Sequence, residues 1–186
     1  GRQFGEMIDL GLLDLDSRKG KAPGGYQENL WEARKPFIFS NAAGTNDDLR
    51  VLLHEGGHAF HSFAAADQPL LHYLHAPIEF CEVASMAMEL FAYPYLGLFY
   101  DAAEAARCRR LHLEMIIRLL PWIATIDAFQ YWLYGHPGHS RDQRRQAWLA
   151  VHERFGAGVA DWSGLEEERG TLWHRQLHLF IAPLYY

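Results

Sequence analysis

The chain has 186 residues, 49% of them hydrophobic and 22% charged, with 17 Lys and Arg against 23 Asp and Glu, a formal net charge of −6. That composition excludes a disordered chain, and the acidic balance excludes a basic face for nucleic acid or for an anionic membrane surface. Cys81 and Cys108 are too few for a disulfide framework, and the most apolar stretch, 115–126, is broken by Arg118 and Pro121, short of the ~20 residues that span a bilayer.

The first residues carry no charged, apolar and small-residue zones of a signal peptide, so the expected location is the cytoplasm. The chain opens on Gly1 and closes on an apolar Leu184-Tyr185-Tyr186, which reads as a segment excised from a longer protein. Residues 4–16 place Phe4, Met7, Ile8, Leu10, Leu12 and Leu13 mostly at helical spacing and predict a short helix. Residues 20–25, Gly-Lys-Ala-Pro-Gly-Gly, form a turn; they lack the glycine spacing and Lys-Ser/Thr ending of a phosphate loop. Residues 26–31 and 36–40 have the aromatic and β-branched content of strands and predict a hairpin. An edge strand there could take an extended peptide as an added strand.

Residues 41–46 form a loop. Thr45 or Asn46, followed by Asp47-Asp48, makes a helix start at the positive end of the dipole, with the helix running to about residue 65. That helix carries His54-Glu55-Gly56-Gly57-His58. Two histidines four apart lie one above the other, roughly 5–6 Å between Cβ atoms, so both imidazoles can reach one ion. Glu55 stands beside the pair, where it can act as general base on an activated water. A core helix does not favour two His and a Glu together, because an unpaired buried carboxylate is costly. Gly56 and Gly57 each cost ~1 kcal/mol relative to Ala in a helix, so close approach of a neighbouring backbone or a substrate is expected there. His61 lies one turn further, but the longer three-histidine zinc pattern would need Gly at position 61 and His at position 64, where Ala64 stands. His61 is therefore placed near the metal or in the core, outside the ligand set.

Residues 66–78 read as a connector, with His72 and His75 facing solvent or substrate. From Glu79 to about Tyr100 helical spacing returns, and Glu79, Glu82 and Glu89 share one stripe opposite Phe80, Val83, Ala87 and Phe91. Three like charges on one face repel unless a cation sits opposite, so the stripe is a source of a third ligand, or else a solvated acidic face. Glu79 and Glu89 are candidates for orienting His54 or His58 from behind. Residues 103–135 are helical with a kink or break at Pro121. Ser140 and Gln143 offer a capping box for a helix over 141–155; Ser163 and Glu166 offer another for a last helix starting near 164. The last helix holds a second histidine pair, His174 and His178, without an internal Glu, so it is not read as a ligand pair. His178 and the terminal tyrosines are instead potential donors to an oxyanion.

Several segments, in order, resemble the thimet oligopeptidase and oligoendopeptidase F family of zinc peptidases, with the closer likeness to oligoendopeptidase F. They are 20–26, 36–39, 54–61, 79–86, 127–130 and 178–186. The resemblance implies a mainly α, multi-helical zincin-type catalytic domain with a small β-hairpin or sheet ahead of the metal helix, spanning 1–186 as one catalytic core. It implies one Zn²⁺ held by His54, His58 and Glu82, with Glu55 as base. His178 would stand near the substrate carbonyl, and Tyr185 or Tyr186 would help bind the tetrahedral intermediate. Short peptides cut at internal bonds are the implied substrates. The rival readings are a zinc-stabilised module without turnover and a zinc exopeptidase with the same helix.

Overall fold

The computed structural model describes residues 1–156, 158–181 and 183–184, and only the backbone of Ile78, Glu79 and Ile181. The chain forms two compact units, Gly1–Cys108 and Arg109–Tyr186.

Unit 1 begins with helix α1 (Arg2–Asp9) and strand β1 (Leu13–Asp16). The single helix expected over 4–16 is thus replaced by a helix and a strand. Gly11 at φ +66° ends the helical path, and Leu13-Asp14-Leu15-Asp16 then alternates with a period of two. Strands β2 (Gly25–Leu30) and β3 (Lys35–Ala42) form the expected hairpin, paired antiparallel from Gly25–Ser40 to Leu30–Lys35. β1 adds to the other side of β3 in parallel, giving the order β1-β3-β2 with β2 at an edge. Met7, Leu12, Ile38 and Ala59 make a small apolar core between α1, the sheet and the next helix.

Helix α2 (Asn46–Ala65) starts at Thr45, whose backbone N–H donates to the Asp48 carboxylate at 2.6 Å. After a connector with a short 3₁₀ turn at Leu71–Tyr73, helix α3 (Ile78–Phe91) packs on α2. It stops well before the expected Tyr100, because Pro94 follows; Tyr93–Leu98 is a 3₁₀ stretch instead. Phe80, Val83 and Phe91 are 66%, 59% and 71% exposed, so the face α3 turns inward is the one bearing Glu82, Ser85 and Glu89. A solvated acidic stripe is therefore the wrong picture for this helix.

Helix α4 (Ala102–Gly135) continues through Pro121, so of the kink or break expected there the break does not occur. In unit 2 its Ile126 and Phe129 pack with Trp148 of helix α5 (Arg141–Phe155), surrounded by Trp122, Trp132 and Trp173. α5 has the expected capping box: Ser140 Oγ accepts from Gln143 N at 3.2 Å, and Gln143 Oε1 accepts from Ser140 N at 2.8 Å. The last expected helix divides into α6 (Glu166–Thr171), a 3₁₀ turn (Leu172–Arg175) and α7 (His178–Ile181). Ser163 does not cap it, because α6 starts later with Leu165 at the cap position; the Ser163 hydroxyl donates to Asp161 Oδ1 at 2.7 Å. Among the described residues no helix is long and apolar enough to cross a membrane.

Candidate metal centre

The centre is built in unit 1 by α2, α3 and the edge of the sheet. Helical spacing on α2 puts His54 and His58 on one side with ring centroids 5.0 Å apart. α3 brings Glu82 against them: its Oε2 is 3.3 Å from His54 Nε2 and its Oε1 is 3.8 Å from His58 Nε2. One ligand atom from each of the three lies within 4.8 Å of the others, and among the described residues this is the one group of three or more His, Cys, Asp or Glu so arranged. Two imidazoles and one carboxylate form the donor set of a catalytic zinc site with one position left open. The side chains of His54, His58 and Glu82 remain 23%, 16% and 31% exposed, so a ligand can approach from solvent.

The two imidazoles differ in protonation. Burial pushes the His58 pKa down, which keeps its imidazole neutral and its lone pair available. A hydrogen bond from His54 holds the Glu82 carboxyl below the usual carboxylate range. Burial alone would lower His54, but the Glu82 and Glu89 carboxylates on its two nitrogens outweigh it and raise the pKa to about 9. His54 Nδ1 donates to Glu89 Oε1 at 2.7 Å, leaving Nε2 toward Glu82 and His58. Glu89 is almost wholly buried, and Arg50 Nη1 stands 3.7 Å from its other oxygen. A histidine whose far nitrogen is tied to a carboxylate has its tautomer and ring direction set for ligation.

Glu55 faces β2 of the sheet, its Cγ 3.7 Å from where a Cβ on Gly25 would lie. It is 8% exposed, and burial raises its pKa, opposed by the charge on His54 and by the nearby Gln27 backbone. Gly24 O and Asn41 N bond to each other, so in this antiparallel ladder the N–H groups of Gly25, Gln27 and Asn29 point away from β3 toward the free edge. Gly25 makes the fit possible: a Cβ there would lie 2.6 Å from Val51 Cγ1 and 3.7 Å from Glu55 Cγ. Gly25, Ser85 and Arg50 escaped sequence reasoning: an absent side chain leaves no motif, a lone serine one turn from a glutamate is common on helices, and Arg50 meets Glu89 only through tertiary packing.

The remaining expected residues fall elsewhere. His61 is half-buried on α2, outside the three-residue group. His72 is exposed, and His75 Nδ1 lies 3.6 Å from Cys81 Sγ. His178 opens α7 in unit 2, with Nδ1 2.8 Å from Gln176 Nε2; His174 belongs to the preceding 3₁₀ turn, so the two do not share a helix. Tyr185, Tyr186 and the side chain of Glu79 lie outside the described residues.

A mainly helical chain with a small sheet and a His–His–Glu cluster that could hold a metal ion, beside a buried carboxylate, defines the class to compare it with. Within that class, the pattern of Peptidase family M3 matches residues 3–186, and the chain belongs to that family. It is 38% identical over 94 residues to the chromosomal oligoendopeptidase F of Lactococcus lactis subsp. cremoris, covering 48% of this chain and 15% of that protein. The plasmid oligoendopeptidase F of the same organism is 36% identical over 78 residues, 41% of this chain and 13% of its own length. A solved structure of PZ peptidase A with an inhibitor superposes with a TM-score of 0.87 at 36% identity, over all of this chain and 33% of that one. The chain thus spans a third or less of the relatives it matches.

Proposed function

We propose that this chain carries the catalytic centre of a zinc-dependent endopeptidase that hydrolyses internal bonds of short peptides. The observation that carries the proposal is the cluster of His54, His58 and Glu82 within 4.8 Å with the buried Glu55 beside it. A purely structural zinc site closes all four positions with protein ligands and needs no base. The names of the oligoendopeptidase relatives support the same reading.

His54, His58 and Glu82 would hold the ion, which when bound supplies Lewis-acid polarisation of a carbonyl and acidifies a water. Glu55 accepts the proton of the attacking water and returns it to the leaving amine. Its pKa, raised by burial, brings the carboxylate nearer to neutral pH, where taking and returning a proton are both accessible. Glu55 packs beside Gly25 on the edge strand β2, where an extended peptide could pair. Glu89 orients His54, and Glu79 and His61 stand as further supports. His178 and Tyr185 or Tyr186 are the proposed donors to the oxyanion. No disulfide joins Cys81 and Cys108, in keeping with work on peptides in the cytoplasm.

The test is Glu55→Gln in the intact protein, assayed on a fluorogenic peptide blocked at both ends, with zinc measured in parallel. Turnover should fall about 10²–10⁴-fold with zinc retained. Undiminished turnover would remove Glu55 as the base, and cleavage only of peptides with a free end would make the enzyme an exopeptidase. Zinc without any turnover in the unmutated protein would leave a structural module.

A further inference from the structure

α2 and α3 meet through backbone. A Cβ placed on Gly57 would sit 2.6 Å from Ser85 Cα, 2.7 Å from Ala84 O and 3.0 Å from Ser85 N. Gly56, one residue earlier, has nothing within 4 Å of the same missing atom. Both glycines carry the same helix cost of ~1 kcal/mol relative to Ala, yet only Gly57 has a backbone against it.

Ser85, at this contact, is fully buried. Its hydroxyl lies 3.0 Å from the Glu82 backbone oxygen and 3.0 Å from Glu82 Oε2. An ionised carboxylate only accepts, so the serine proton is what Glu82 Oε2 can receive from this side. The turn of α3 that touches Gly57 is therefore also the turn that fixes the Glu82 carboxylate.

On the reading that Glu82 is a metal ligand, the geometry points to Gly57 and Ser85 as positioning residues for it. Gly57 sets how closely the α3 backbone approaches α2, and Ser85 sets the direction of the carboxylate once it is there. The magnitudes favour an effect on the site. Restoring ordinary van der Waals separation of 3.4–4 Å at Gly57→Ala means moving α3 by about 1 Å. Metal–ligand distances tolerate only about 0.2 Å. His54 and His58, both on α2, would stay together while Glu82 is carried away.

The experiment compares Gly57→Ala, Gly56→Ala and Ser85→Ala in the intact protein. Two quantities are measured: the zinc dissociation constant by competition with a chelator, and the ligand-field spectrum of the Co²⁺-substituted protein. Gly56→Ala should bind zinc as the unmutated protein does. Gly57→Ala should bind at least about 10–100-fold more weakly, and Ser85→Ala about tenfold more weakly with shifted Co²⁺ bands, because both act behind a ligand. Equal affinity in Gly57→Ala and Gly56→Ala would overturn the assignment of Gly57. Should Gly57→Ala fail to fold, Ser85→Ala decides, and an unchanged affinity with an unchanged Co²⁺ spectrum overturns the inference. An unmutated protein that binds no zinc would instead bring down the metal reading on which this one rests.

Discussion

In unit 1 Glu55, Ser85 and Glu89 are buried on α2 and α3, beside a hydrocarbon cluster of Met7, Leu12, Ile38 and Ala59 ringed by Leu13, Leu15, Phe37 and Phe63. In unit 2 the main cluster is Ile126, Phe129 and Trp148 with three more tryptophans around them, and the buried polar groups beside it are His112, Thr125 and Gln130. The indoles of Trp148 and Trp122 donate to Arg169 O at 2.7 Å and Gln176 Oε1 at 3.0 Å, so their polar handles are satisfied. Unit 2 centres on an aromatic cluster. Unit 1 buries the carboxylates Glu55 and Glu89 beside half-buried imidazoles, and these cost desolvation unless they are paired with each other or with a cation. The difference separates a part whose interior serves folding from one whose interior serves a site.

The sharpest way to break the contrast is to empty each interior in turn. Trp148→Ala should cost about 3–5 kcal/mol of stability, read from denaturant unfolding, because it removes a fully buried indole and its hydrogen bond. A loss below about 1 kcal/mol, the ordinary effect of a surface change, would mean that the aromatic cluster is not what holds unit 2. In unit 1 the largest effect should fall on metal. Glu89→Ala should weaken zinc about 10–100-fold by releasing His54, and a chelator titration matching the unmutated protein would deny Glu89 its orienting role.

A smaller effect should run the other way. Burial raises the Glu55 pKa, so the ionised group weighs against folding at neutral pH. Glu55→Gln should therefore stabilise the metal-free protein, by about 0.5–2 kcal/mol, while it abolishes turnover. A lower midpoint in thermal unfolding would show that the carboxylate supports its unit rather than straining it.

The subtlest expectation concerns pH, where one histidine in each unit responds oppositely. In the metal-free protein His54 is raised to about 9 by Glu82 and Glu89. Its contribution is complete below the unfolded value of about 6.5 and is lost as pH rises through about 9. His152 is lowered, first by burial and then by the charge of Arg169, whose Nε donates to His152 Nδ1 at 3.4 Å. Its contribution is present above about 6.5 and is lost as pH falls below that. His58, lowered by burial, adds an acid-side loss in unit 1, so the two units differ on the alkaline side. Amide exchange, corrected for intrinsic rates, should show metal-free unit 1 loosening from pH 7 toward pH 9 through His54, and unit 2 loosening from pH 7 toward pH 5 through His152. Equal loosening of both units toward pH 9 would remove this contrast.

Local rules carried some elements completely. The Ser140–Gln143 box starts α5 where it should, and the Thr45 start and four-residue histidine spacing place His54, Glu55 and His58 on α2. They failed where two local signals compete. Leu12, Leu13 and Leu15 satisfy a helical and an alternating pattern at once, and the pairing of Leu13 with Ile38 on β3 settles it as a strand. Ser163 had the form of a cap, but α6 begins later, with Leu165 at the cap position.

By itself, the sequence determined a mainly helical chain, a helix bearing two imidazoles and a carboxylate, and a stripe of three glutamates on the next helix, because periodicity and side-chain chemistry are local properties. Only the tertiary structure decided that Glu82 meets His54 and His58, that Glu89 stands behind His54, and that Glu55 lies beside Gly25 of β2. It also decided which glycine mattered: Gly57 lies against the backbone of Ser85, and Gly56 against nothing. The reason is physical. Distances of a few ångströms between separate helices are set by the backbones that touch, and at this crossing the feature that sets them is the absence of a side chain.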